Sequence, residues 1–196
     1  MAIDDLHDHV AAVVGALAHL EAELPRVDSW GRQLAAGLVA GGRLLTVGNG
    51  GSAAQAEHLA AELVGRYRGE RGPLSALALS APGATVTALA NDYGMDALFA
   101  RQVEAHGRPG DVLVALSTSG RSPDLLAAVA TARAAGITTW ALTGGRPNPL
   151  ADAVDDALCV DARNPATVQE VHQIVVHLLC EALEQALPDA APLAVG

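Results

Sequence analysis

The chain has 196 residues, is 51% hydrophobic and carries a formal charge of −10. That length suits a single domain with a real core. The acidic balance argues against a general nucleic-acid surface, which needs a basic face. All 12 of its lysine-plus-arginine residues are arginine, so a lysine Schiff base is excluded. No apolar run reaches the ~18–20 residues of a membrane span. Met1-Ala2-Ile3-Asp4-Asp5 carries acids where a secretory leader needs basic residues, so the expectation is a cytoplasmic protein. Cys159 and Cys180 have no metal-type spacing and read as buried, reduced thiols.

In chain order, a helical pattern over Asp5–Leu24 comes first, with Leu6, Val10, Val13, Val14, Leu17 and Leu20 on one amphipathic face. That face packs on its own domain or on another subunit. Pro25 separates it from a second helix at Ser29–Ala40. Five short apolar runs then read as strands: Arg43–Val47, Leu74–Leu79, Asp111–Leu116, Thr138–Leu142 and Ala157–Val160. They lack the alternation of a one-sided sheet, so both faces are covered. Between them lie helical patterns at Ala53–Tyr67, Asp96–His106 and Pro123–Ala135. Ser122 and Pro123 supply an N-cap and an N1 proline for the last of these, and Gly136 its stop. Such alternation predicts a parallel, doubly wound α/β sheet. A final helix, Thr167–Leu187, is apolar on most sides, which suggests burial in an oligomer. Residues 1–187 thus read as one domain, and 188–196 as a disordered tail.

Two loops follow strands and open helices, where ligands sit in such sheets. Gly48-Asn49-Gly50-Gly51-Ser52 offers backbone N–H groups to an anionic or hydroxylated ligand. It lacks the second-strand acid of a dinucleotide site, because Leu79-Ser80-Ala81 stands there. Ser117-Thr118-Ser119-Gly120-Arg121-Ser122 bunches four hydroxyls at a helix N-terminus, enough for one phosphate and so for a monophosphate. Either loop can also be a plain capped turn. Asn91-Asp92-Tyr93-Gly94 reads as a polar loop, holding a hydroxylated ligand or forming an Asx-turn.

His58 and Glu62 are four residues apart and share a helix face, offering a metal ligand, a base or both. Gln169, His172, Gln173 and His177 punctuate the apolar last helix. A lone histidine there is usually a core residue, and company with His58 and Glu62 shifts the reading towards ligation. Gln169 and His177 lie about 12 Å apart along an ideal helix, so a metal held by both would favour a subunit interface. His7, His9, His19 and His106 read as surface or capping residues.

These segments, with His58-Leu59-Ala60-Ala61-Glu62-Leu63-Val64-Gly65-Arg66-Tyr67 and Gln169-Glu170-Val171-His172 through His177, occur in an order that closely resembles the phosphoheptose isomerases. Those are single-domain members of the sugar-isomerase (SIS) fold, and the resemblance runs over nearly the whole chain. It implies a five-stranded parallel sheet flanked by helices, assembled as a homotetramer. The implied reaction interconverts sedoheptulose 7-phosphate and D-glycero-D-manno-heptose 7-phosphate, within heptose biosynthesis. Asn49, Gly50, Gly51, Asn91 and Asp92 match substrate-contacting positions, with Ser52, Glu62 and Gln169 completing the set. Ser117, Thr118, Ser119 and Ser122 match phosphate-binding positions. His58, Glu62, Gln169 and His177 match the ligands of one zinc ion per subunit, with Glu62 and His177 also the base and acid. Three positions depart from the family pattern: Ala166 for a frequent aspartate, Arg121 for a small polar residue, and Ala53 for a histidine of some members.

A carbonyl shift between C1 and C2 needs a proton taken from one carbon and returned to the next through an enediol, and Glu62 is the candidate base. Zinc ligation weakens a carboxylate base, which leaves His177 as the other candidate. Two rivals remain: a non-catalytic SIS adaptor binding the replication initiator, whose members lack the glutamate and final histidine, and another sugar-phosphate isomerase.

Overall fold

The apolar runs form β1 (Leu44–Gly48), β2 (Ala76–Ala78), β3 (Val112–Ser117), β4 (Thr138–Gly144) and β5 (Asp156–Val160). All pair in parallel, in the order β2-β1-β3-β4-β5. The computed structural model describes residues 3–188. Its helices are α1 (Ile3–Leu20), α2 (Leu24–Val39), α3 (Gly51–Val64), α4 (Gly83–Tyr93), α5 (Leu98–His106), α6 (Pro123–Ala134), α7 (Pro149–Ala153) and α8 (Pro165–Ala186).

Every residue of β1 and β3 is buried, which is why these strands lack alternation. Side chains still alternate between two cores. Leu44, Val112, Val114, Leu116, Leu142 and Leu158 face α2, α3 and α8. Leu45, Val47, Leu113, Ala115, Ala141 and Ala157 face α5, α6 and α7. Trp30 of α2 stacks on Trp140 of β4, with ring centroids 4.9 Å apart and planes 4° from parallel. Its indole N–H is satisfied by Asp156 Oδ2 at 2.8 Å, as burying a tryptophan requires.

The strand order fixes where a ligand can sit. β1 and β3 are neighbours, but the chain leaves β1 towards β2 on one side and β3 towards β4 on the other. Their following helices, α3 and α6, cover opposite faces of the sheet. A crevice therefore opens at the carboxyl ends of β1 and β3, the switch point of a doubly wound sheet.

Four local expectations change. Asn91-Asp92-Tyr93 is the last turn of α4, and Gly94, at φ +82°, caps it. None of α4 is fully buried, so it carries little of the periodic signal that marks a packed helix. Pro25 lies in the first turn of α2, where its missing N–H costs nothing, and only the short 3-10 turn Glu21–Glu23 separates α1 from α2. Ser122 holds the N-cap position of α6, but its hydroxyl makes no capping bond. Much of the apolar surface of α8 is covered by its own chain, packed among α2, α3 and the sheet. The expected tail, Pro188 apart, lies outside the described residues.

Candidate active site

At the end of β1, Gly50 turns the chain at φ +56° and α3 starts at Gly51 with no side-chain cap. The first N–H groups of the helix and its positive dipole end face the crevice. At the end of β3, Ser117 Oγ accepts from Gly120 N at 3.1 Å and Ser119 Oγ accepts from Arg121 N at 3.3 Å. Both hydroxyls spend a lone pair on their own loop and keep an O–H to donate outward. Asn49, Ser52, Ser117, Thr118, Ser119, Ser122 and Gln169 line a cleft of about 100 Å³. This cleft is the observed form of the hydroxyl nest. Asn49 is held in it by buried Asp124, whose Oδ2 accepts from Nδ2 at 2.8 Å.

A second cluster lies further along the same seam. His58 Nε2 is 3.1 Å from Glu62 Oε1 on α3 and 3.1 Å from His177 Nε2 on α8. The three donor atoms lie within 4.8 Å of one another, each on a partly buried residue. Two facing imidazole nitrogens at this distance either share a proton or converge on one cation. Four ligands at about 2.0–2.1 Å around zinc have edges of about 3.3 Å. The His58–His177 and His58–Glu62 separations match that edge, and nitrogen with carboxylate oxygen suits zinc chemistry, so the residues fit the metal. Gln173 adds a fourth residue, its Nε2 3.3 Å from His177 Nε2. Turning that amide over would present Oε1 to the same point. The Tyr67 ring leans on the His177 ring, with centroids 5.5 Å apart.

Gln169 sits at the cleft end of the seam. A Cβ on Gly51 would come within 2.7 Å of both ends of its amide, so a larger residue there would displace the Gln169 amide from its present position. Its backbone carbonyl accepts from Gln55 Nε2. One chain brings His177 to His58 and Glu62, so of Gln169 and His177, the two ligands expected to be divided between subunits, His177 needs no neighbour to reach the cluster. Asn91 and Asp92 are exposed, bonded to each other at 2.9 Å, and do not line the cleft. Arg121 is exposed and reaches towards Pro147 O.

Two buried groups along the seam are tuned away from reactivity. Burial pushes His172 down to about 4, against the bond from its ring to Thr143 O at 3.1 Å. Thr143 O can only accept, so Nε2 carries the proton of a neutral ring. Burial, followed by the charges of Glu62 and Glu184, pushes the Cys180 thiol up to about 12. It stays protonated at neutral pH, neither nucleophile nor ligand.

Asp124, Gln55 and Asn148 had no sequence signal beyond being polar. Gln173 had one: it stands one turn before His177, as His58 does before Glu62.

A glycine loop and a hydroxyl nest at a switch point, with an imidazole–carboxylate cluster along the same seam, define a small-molecule site in a doubly wound α/β domain. A model of the SIS domain matches residues 8–144. The phosphoheptose isomerase of Streptomyces coelicolor is 59% identical over 172 residues, covering 88% of this chain and 74% of that one. That of Thiobacillus denitrificans is 44% identical, covering 93% and 96%. The solved phosphoheptose isomerase of Francisella tularensis superposes with a TM-score of 0.89 at 34% identity, covering 94% of this chain and 99% of that one. The chain belongs to the SIS domain family and, within it, to the phosphoheptose isomerases.

Proposed function

We infer that the protein is an aldose–ketose isomerase, interconverting sedoheptulose 7-phosphate and D-glycero-D-manno-heptose 7-phosphate. The observation that carries the mechanism is the meeting of His58, Glu62 and His177 from two sequence-distant helices, on the seam that begins at the hydroxyl nest. Ser117, Thr118, Ser119 and Ser122 bind the phosphate, helped by the N-terminus of α6. Asn49, Gly50, Gly51, Ser52 and Gln169 hold the sugar hydroxyls, with Asn91 and Asp92 reaching them only if α4 moves inward. His177 stands about 12 Å along α8 from Gln169, so the reacting carbons lie at the end of the sugar remote from its phosphate.

Glu62 takes the proton from C2 of the aldose, or C1 of the ketose, and returns it to the other carbon. His177 protonates and deprotonates the oxygens as the carbonyl shifts, so atoms and electrons balance without a co-reactant. His58, Glu62 and His177 would hold one zinc ion, with Gln169 or Gln173 as the amide ligand, and the ligation of Glu62 and His177 would loosen during turnover to free them for proton transfer. When bound, the metal supplies charge stabilisation at the developing oxyanion. Residues 1–187 act as one SIS domain. A homotetramer and a cytoplasmic location complete the reading, the latter suiting a phosphorylated substrate that does not cross membranes.

Glu62→Gln and His177→Gln are each expected to lower turnover at least ~10²-fold, the usual scale for a general acid or base. Near-normal rates in both would remove the mechanism. No turnover of any ketose phosphate by the parent enzyme would favour the adaptor reading. Turnover of a pentose or hexose phosphate in preference to the heptose would favour another isomerase.

A further inference from the structure

Below the cleft and the triad, the α3–α8 seam has a third station that the chemistry above does not use. Glu184 stands seven residues beyond His177 and so on the same face of α8. Its carboxylate accepts from the backbone N–H groups of Tyr67 at 3.1 Å, Arg68 at 3.2 Å and Gly69 at 3.0 Å. Arg71 Nε donates to the same carboxylate at 3.3 Å. The remaining guanidinium N–H groups reach the carbonyls of Glu62 at 2.7 Å, Leu63 at 2.9 Å, Gly65 at 3.3 Å and Gly72 at 3.0 Å. The two side chains are only 7% and 14% exposed. We propose that the Arg71–Glu184 pair is a positioning clamp that sets α3 against α8, so that His58 and Glu62 meet His177 at ligand distance. The inference rests on reading that triad as the metal and acid–base centre.

The clamp grips both ligand-bearing helices. On α3, Arg71 bonds the peptide carbonyl of Glu62 itself and that of the next residue. These are carbonyls of the last turn, which a helix leaves without partners, and a cation there also suits the dipole. Arginine alone offers five donors in a planar fork able to serve a carboxylate and several carbonyls at once. On α8, Glu184 pins the backbone of Tyr67, whose ring leans on the His177 imidazole. A shift of either helix end therefore changes the His58–His177 separation, and groups that orient metal ligands typically govern affinity by 10–100-fold.

Breaking a buried ion pair destabilises any protein, so loss of stability alone decides nothing. The test compares R71K and E184Q with V129A, a cavity variant in α6 on the opposite face of the sheet. Each is followed by thermal midpoint, by Co(II) affinity from its visible absorption, by zinc retention against a chelator, and by kcat and KM. R71K and E184Q are expected to bind Co(II) at least ~10-fold more weakly and to lower kcat at least ~10-fold. KM should stay within ~3-fold, because the hydroxyl nest is held by other bonds. V129A should bind Co(II) as the parent does despite a lowered midpoint. Parent-like Co(II) affinity in R71K and E184Q overturns the clamp, as does an equal loss in V129A. If E184Q does not fold, R71K, which keeps the charge, decides alone. A parent that binds Co(II) but isomerises no heptose phosphate removes the functional reading and leaves the clamp to the Co(II) affinities. A parent that binds no divalent metal overturns both.

Discussion

His172 shows how one residue on α8 can serve the fold while its neighbours serve chemistry. It is wholly buried, donates to Thr143 O at the end of β4, and has no partner for Nδ1. A charged ring would need a second acceptor that this pocket lacks, so burial holds the folded value near 4, below the ordinary 6.5. Between those values the unfolded chain binds a proton that the folded chain refuses. Stability is therefore full above pH 6.5 and declines as pH falls towards 4, by on the order of 3 kcal/mol. His172→Gln keeps a donor for Thr143 O and removes the titration. Urea midpoints measured from pH 7.5 to 4 should fall less steeply in the variant than in the parent. Parallel slopes would show that His172 does not carry this acid sensitivity.

At the scale of elements, the serine loop owes its shape to the loop after β4. Asn148 accepts from Ala151 N, capping α7, and donates to Thr143 Oγ1, Gly144 O and Gly145 O. Gly120 lies directly against it at φ +60°, where an added Cβ would come 2.0 Å from Asn148 Oδ1. Gly120 O also accepts from Leu150 N, so the two loops are bonded edge to edge. Gly120→Ala must therefore push the loops apart and turn the Ser117 and Ser119 hydroxyls away from the cleft. The expected outcome is a KM raised at least ~10-fold with metal affinity unchanged, since the triad lies on other elements. An unchanged KM would show that the nest tolerates this displacement. The same elements explain what the sequence made legible. Strands and packed helices announce themselves by apolar runs and periods, and the glycine and serine loops by composition at strand ends. The exposed α4 and the five-residue α7 lack a buried stripe, so they leave no such trace. His58 and Glu62 are legible as a pair because one turn joins them. Their meeting with His177 is a tertiary fact, suggested by residue type and sharpened by resemblance, whereas Asn49–Asp124 and Arg71–Glu184 left no trace in the sequence.

For the whole molecule, the unbalanced feature is α1. Ala16, Leu17 and Leu20 pack on the core beside α8, and His9 reaches Glu170 at 2.9 Å. Leu6, Val10 and Val14 stand 49%, 61% and 62% exposed at four-residue spacing, one continuous apolar stripe. The sequence allowed α1 to pack on its own domain or on another subunit; one face packs on its own domain and the other stands exposed. A net charge of −10 opposes self-association at long range, so short-range apolar burial must outweigh it. A solvated helix would gain nothing from three aligned aliphatic side chains, whereas copies related by symmetry can bury them against one another. V10E/V14E places two carboxylates in the centre of that stripe and leaves the core-facing residues intact. Light scattering coupled to size exclusion should show the parent as a tetramer and the variant at lower mass, with an unchanged far-ultraviolet spectrum. Because His58, Glu62 and His177 come from a single chain, the dissociated variant should keep its Co(II) affinity within about threefold while losing the assembly. A variant that stays tetrameric would move the interface away from α1, and one that dissociates and loses Co(II) together would show that the neighbouring subunit holds the centre in shape.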